Sequence, residues 1–135
     1  MLNLNMEYKS GVLFVRLIGS LNKLTSYKLV DTLIPIIVSQ GIKNLVYNFN
    51  ELKSIDEAGF KTLLMGYNSI LNNNGSVLVV NNHFNLEYFK EVNNELSALK
   101  ILKVWGNKMK TNELEILDNP ELKIFIKSIC QMLWR

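Results

Sequence analysis

Apolar and polar positions along the chain switch between strand-like alternation and helical spacing, and the switches mark out the elements. Residues 6–10 and 12–18 are short β-prone runs joined at Ser10-Gly11, which predicts a hairpin. The second run, VLFVRLI, is apolar at nearly every position, so both of its faces are expected to be covered. Helical spacing takes over at residues 24–40, where Leu29, Val30, Leu33, Ile34 and Ile37 recur and Gly41 follows as a stop. Pro35 conflicts with this helix, because it removes the hydrogen bond to the Asp31 carbonyl at a cost of about 3 kcal/mol. A kink or a restart at Pro35 is expected.

Residues 45–49 (LVYNF) form the next predicted strand and residues 50–56 (NELKSID) a loop. A second helix is predicted over residues 57–73, its apolar face made of Phe60, Leu63, Leu64, Tyr67, Ile70 and Leu71. Asp56 is placed as its N-cap, where a carboxylate accepts the free N–H groups of the first turn. Asn72-Asn73-Asn74-Gly75 stops it, and residues 77–80 (VLVV) read as a buried strand. Residues 85–102 again show helical spacing through Leu86, Phe89, Val92, Leu96 and Leu99. Residues 103–112 read as a loop and residues 114–117 as a short edge strand. Asn119-Pro120-Glu121 reads as a last helix start, followed by a stripe of Leu122, Phe125, Ile126, Ile129 and Leu133.

Strands separated by helices call for crossovers and a partly parallel sheet. The expected fold class is therefore α/β: a small sandwich with a mixed sheet of four to five strands and helices packed mainly on one face. All 135 residues are expected to form a single domain, with an extended helical region at about residues 105–135.

Composition removes several functions. At 48% hydrophobic and 20% charged residues the chain can build a core. One cysteine, Cys130, and one histidine, His83, exclude a disulfide scaffold, a Cys-rich zinc site and a His-based metal cluster, so no metal or cofactor is expected. No window approaches the ~20 apolar residues of a membrane span. The opening MLNLNMEYKSG lacks the apolar run of a signal peptide, and a soluble cytoplasmic protein is expected. The net charge is +3, the only arginines are Arg16 and Arg135, and the lysines are scattered among Glu and Asp. That pattern is a solvated surface, so no nucleic-acid partner is expected.

Catalysis is not expected either. There is no phosphate loop, GxSxG elbow, HExxH or dinucleotide fingerprint, and Asp56 and Glu57 are adjacent rather than facing. His83 follows Asn81-Asn82 at the end of a strand, a favoured ligand position. No carboxylate or nucleophile stands at a telling spacing from it, so a surface or capping role is expected. Cys130, beside Ile126 and Ile129, is expected to be a small packing residue. Ile124, Met132 and Trp134 lie off the last helix's stripe and offer a homodimer or partner surface, or a cover for the sheet's open edge.

The most informative stretch is NLVYNFNELKSIDEAGFKTLL, residues 44–64, in which a strand runs through a loop ending Ile55-Asp56-Glu57-Ala58-Gly59 into a helix. Here the chain resembles the STAS domain family, the fold of bacterial anti-sigma factor antagonists. Ile55-Asp56 and Gly59 match the family's apolar-Asp-Ser-Ser/Thr-Gly signature at a helix start. Residues 15–22 resemble its strand before the first helix and residues 75–81 its fourth strand; the resemblance covers about residues 6–82. It implies a STAS-like sandwich without catalytic activity and a protein partner: an anti-sigma factor, a kinase-like ATPase, or another subunit of a signalling or lipid-transport complex. It also implies a partner surface at Asn50, Ser54, Asp56, Glu57, Ala58, Gly59, Lys61 and Thr62.

In the family the serine after the aspartate carries a phosphate that blocks partner binding, and free N–H groups at a helix start stabilise such an anion. Here Glu57 stands at that phosphosite-equivalent position and Ala58 replaces the second Ser/Thr, so neither accepts phosphate. Asn22 and Asn48 stand where acidic residues are usual. Glu57 is either an acid favoured by the helix dipole, worth about 0.3–1 kcal/mol, or a permanent negative charge in the place of a phosphate. Ser54 is the nearest hydroxyl, a substitute acceptor or a local loop cap.

Overall fold

The computed structural model of the chain describes residues 1–106. The predicted edge strand at 114–117, the helix start at Asn119, Cys130 and the apolar residues Ile124, Met132 and Trp134 lie outside the described residues.

At the amino end β1 (Leu2–Lys9) and β2 (Val12–Leu21) form the expected antiparallel hairpin. Ser10 and Gly11 at its tip both hold positive φ, 55° and 77°, the geometry that suits the right-handed twist of a two-residue connection. β1 begins earlier than residue 6 because Leu2, Leu4 and Met6 already alternate inward against Asn3, Asn5 and Glu7 on the other face. The chain continues as α1 (Ser26–Gln40), β3 (Asn44–Ile55), α2 (Glu57–Asn72), β4 (Ser76–Val80), β5 (Lys90–Val92) and α3 (Glu95–Gly106).

The five strands lie side by side in chain order, with β1 antiparallel and β2 to β5 parallel. A sheet that grows one strand at a time in one direction keeps its crossover helices on one face, since such crossovers share a hand. α1 and α2 accordingly pack together on one face and α3 on the other. The first face holds the larger core: Leu4, Met6, Leu13, Val15, Leu45, Tyr47, Phe49 and Val79 of the sheet against Leu29, Leu33, Ile37, Leu63 and Ile70 of the helices. The alternate sheet residues Val12, Phe14, Val46, Leu78, Val80 and Val92 meet Ala98 and Leu102 of α3. The central strands are thus buried on both faces, which is what their unbroken apolar runs require.

Three expectations are corrected. α1 runs through Pro35 as one helix rather than restarting there; the proline is exposed, as is Asp31 one turn before it, so water reaches the residue whose carbonyl loses its partner. Residues 50–55 are the second half of β3 rather than a loop. Between Asn48 and Glu51, and again between Leu52 and Ser54, β3 carries one residue more than β2 opposite it. Each such bulge moves the following side chains to the other face and breaks the alternation. Finally, residues 85–102 are not one helix. Asn85 takes φ 55°, β5 pairs with β4, and α3 starts only at Glu95, where Asn94 Oδ1 accepts the Ser97 N–H at 2.8 Å. Leu86 and Phe89 have helical spacing but pack on the larger core from a loop.

Candidate functional site

β3 ends at Ile55 and α2 begins at Glu57, so one residue, Asp56, makes the whole turn. Its extended backbone (φ −111°, ψ −176°) lets the side chain fold back over the helix it precedes. Asp56 Oδ1 accepts the Gly59 N–H at 2.8 Å and Oδ2 accepts the Lys23 N–H at 3.0 Å. The Asp56 N–H in turn donates to the Leu21 carbonyl at 3.2 Å. One residue therefore joins the starts of both helices to the end of β2. The N–H groups of Gly59, and then of Lys23 and Ala58, hold the Asp56 carboxyl below the ordinary carboxylate range.

The turn from β2 to α1 is closed by its own polar side chains. Asn22 Oδ1 accepts the N–H groups of Leu24 at 2.9 Å and Thr25 at 3.2 Å. Thr25 Oγ1 accepts the Asn22 N–H at 2.9 Å and donates to the Ser20 carbonyl at 2.8 Å. Asn22 acts as a local turn former.

The eight predicted surface residues divide into two groups. Ser54, Asp56, Glu57 and Lys61 are exposed and Ala58 is half-buried around the start of α2, and Asn50 is exposed further back on β3, six residues before Asp56. Ser54 Oγ donates to Ser20 Oγ at 2.9 Å. The Glu57 carboxylate is 86% exposed and pairs with Lys61 one turn on, at 3.8 Å. Gly59 and Thr62 do not belong to that surface. Gly59 is buried with α2 resting on its own chain: a Cβ there would overlap the Leu21 carbonyl oxygen and lie 2.9 Å from its carbon. Gly59 therefore serves the packing of α2 on the end of β2. Thr62 is only 8% exposed, and its hydroxyl donates to the Gly59 carbonyl at 2.7 Å.

Two features escaped the sequence reading. Leu24 and Tyr88 are strongly exposed apolar side chains near the site, and the Tyr88 ring lies 5.9 Å from Phe60 in the first turns of α2. The second is a polar network on the α3 face. Arg16 donates to Glu95 twice, Nε at 2.8 Å and Nη2 at 2.6 Å, and also to Glu7 at 2.8 Å and Asn5 at 3.2 Å. Asn48 Nδ2 donates to Glu95 at 2.8 Å. The Arg16 guanidinium, then partial burial against it, and the Asn48 amide leave the Glu95 carboxyl below its ordinary range. The signal was a charged residue inside an apolar strand, but its partner 79 positions away has no local trace. His83 is exposed, with Nδ1 3.1 Å from the Asn81 carbonyl and Nε2 3.1 Å from that of Leu52. It ties the loop after β4 to β3.

The fold and this turn define a mixed-sheet α/β domain in which a strand meets a helix through a single capping aspartate. The chain belongs to the STAS domain family, whose model matches residues 3–94. It superimposes on the anti-sigma factor antagonist SpoIIAA in its unphosphorylated form with a TM-score of 0.65 at 15% identity, covering 76% of this chain and 98% of that one. The phosphorylated form of SpoIIAA, the Bacillus cell fate determinant, matches with a TM-score of 0.58 at 17% identity over 73% and 98% of the two chains. An anti-sigma factor antagonist from Mycobacterium paratuberculosis gives a TM-score of 0.64 at 18% identity over 76% and 95%. At such identities the likeness concerns the fold. No helix among the described residues is long and apolar enough to cross a membrane.

Proposed function

We propose that this chain is a non-catalytic regulatory domain that works by binding a protein partner, in the manner of an anti-sigma factor antagonist, without a phosphorylation switch at residue 57. The observation that carries this reading is the exposed Glu57 carboxylate on the first turn of α2, beside a capping aspartate that fixes the turn. The surface comprises Asn50, Ser54, Asp56, Glu57, Ala58 and Lys61, and the partner is an anti-sigma factor or kinase-like ATPase. Glu57 supplies one permanent charge where a phosphate would bring roughly −1.5 to −2. The same lack of a hydroxyl at residues 57 and 58 favours a second reading, a STAS scaffold held constitutively in a larger signalling or lipid-transport complex.

Affinity capture from native lysate separates the two. Recovery of a histidine-kinase-like ATPase or a sigma factor supports the first reading, and recovery of transporter subunits the second. Glu57→Lys is expected to reduce capture at least tenfold while lowering stability by only about 0.5–2 kcal/mol, since it reverses a charge favoured at the start of α2 and replaces the contact with Lys61 by a like-charge pair without unfolding the chain. Undiminished capture by both Glu57→Ala and Glu57→Lys removes Glu57 from the mechanism.

A further inference from the structure

We propose that α3 is coupled to the partner surface through the side chain of Asn48, with Glu95 and Arg16 as positioning residues. The inference rests on the reading above only in taking Asn50 as part of that surface.

Asn48 lies on β3 at the first bulge, 9% exposed, and both ends of its amide are engaged. Its nitrogen donates to Glu95 Oε2 at 2.8 Å and its oxygen accepts the Asn50 N–H at 2.9 Å. A bulge leaves a backbone group without a strand partner, and here the Asn48 oxygen takes that N–H. The amide is therefore a relay. A carboxylate on one side draws the NH2 end, and the carbonyl end then faces Asn50. Glu95 itself is held by two Arg16 donors, and Arg16 is braced from β1 by Glu7 and Asn5. Glu95 opens α3, so the seat of that helix on the sheet decides where the carboxylate stands.

Beyond the first bulge the same strand runs through the second, between Leu52 and Ser54, to the Asp56 cap, so Asn50 and the start of α2 are joined by β3. If α3 lifts, the Asn48 amide loses the group that orients it and the Asn50 N–H loses its fixed acceptor. By linkage, a partner that grips Asn50 in its present geometry also tightens α3 on the sheet. A solely structural salt bridge predicts something different: its loss loosens α3 and leaves the bulge as it was.

The test uses the full chain without any partner. Backbone amide exchange and 15N shifts are compared for the wild type, Glu95→Gln, Glu95→Leu and the control Glu91→Gln, whose carboxylate serves the Asn82 N–H instead. Exchange at Asn50 is expected to rise at least tenfold in Glu95→Leu and by less in Glu95→Gln, which keeps one acceptor oxygen. Amide shifts are expected over residues 50–55, with Leu13 and Leu45, whose side chains face the larger core, unchanged. If Glu95→Leu does not fold, Glu95→Gln is read at the same amide. Faster exchange confined to α3, or an Asn50 amide as slow as in the control, overturns the proposal. The function reading fails separately: Asn50→Arg with undiminished capture removes Asn50 from the partner surface and leaves the exchange result standing.

Discussion

A methyl group is the whole difference between glycine and alanine, and at residue 59 the neighbouring strand leaves no room for one. The position is helical, so the constraint there is contact rather than backbone freedom. The atoms that a Cβ would strike are the Leu21 carbonyl and the Leu21 side chain, and a carbonyl in a paired strand does not yield easily. Gly59→Ala must therefore push the start of α2 away from β2 and stretch the Asp56 contacts on both sides. Overpacking of this kind costs about 1–3 kcal/mol. A urea titration is expected to give a lower midpoint with an unchanged slope, the mark of a stability change without a new unfolded state. Unaltered stability in Gly59→Ala would contradict the tight seating of α2 on Leu21.

Elements differ in how much of them a local pattern can carry. α1 and α2 were legible because each keeps a helical period, β2 and β4 because each holds an unbroken apolar run, and the Asp56 start because capping is local chemistry between residues 56 and 59. β3 was cut short at Phe49 because two bulges reset its alternation, and a bulge is set by the strand opposite. The apparent helix at residues 85–102 was a coincidence of spacing: Leu86 and Phe89 turn inward from a loop, Val92 from a short strand and Leu99 from a helix, while Leu96 is exposed. The burial of Thr62 and the Arg16–Glu95 contact were invisible because they exist only once α2 and α3 are seated. The same contact gives α3 a pH dependence. Because Arg16 lowers the Glu95 carboxyl in the folded chain, the pair contributes fully above the ordinary carboxylate range of about 4.3 and is lost as pH falls through the lower folded value. The groups facing it are Arg16, Asn48 and, at longer range, Lys9, with Glu7 on the far side of the guanidinium. An acid titration is expected to move the Ser97 and Ala98 amides and the Asn48 side-chain amide together in the wild type. Glu95→Gln should leave them flat over the same range.

For the molecule as a whole, the two faces of the sheet are not equivalent. α1 and α2 close over the larger core, with the Tyr47 ring at its centre, fully buried and its hydroxyl donating to the Leu63 carbonyl at 3.0 Å. Losing that core means losing the fold. α3 leans on a smaller set, Val12, Phe14, Val46, Leu78, Val80 and Val92, and is pinned at its start by one ion pair. An element with less buried apolar contact opens at lower free energy than the rest and exchanges its amides independently. The two cores can therefore be separated by truncating one leucine on each side. Leu33→Ala, at a residue with no exposure on the α1 side, is expected to cost about 2–5 kcal/mol and to reduce the protection of every slow amide alike. Leu102→Ala, 2% exposed under α3, is expected to accelerate exchange in α3 and β5 while the slowest amides of β2 and β3 keep their protection. Native-state hydrogen exchange reads both. If Leu102→Ala lowered β2 and α3 protection equally, the sheet and its second face would be one cooperative unit. A partner surface relayed through Asn48 would then have no independently moving helix to report.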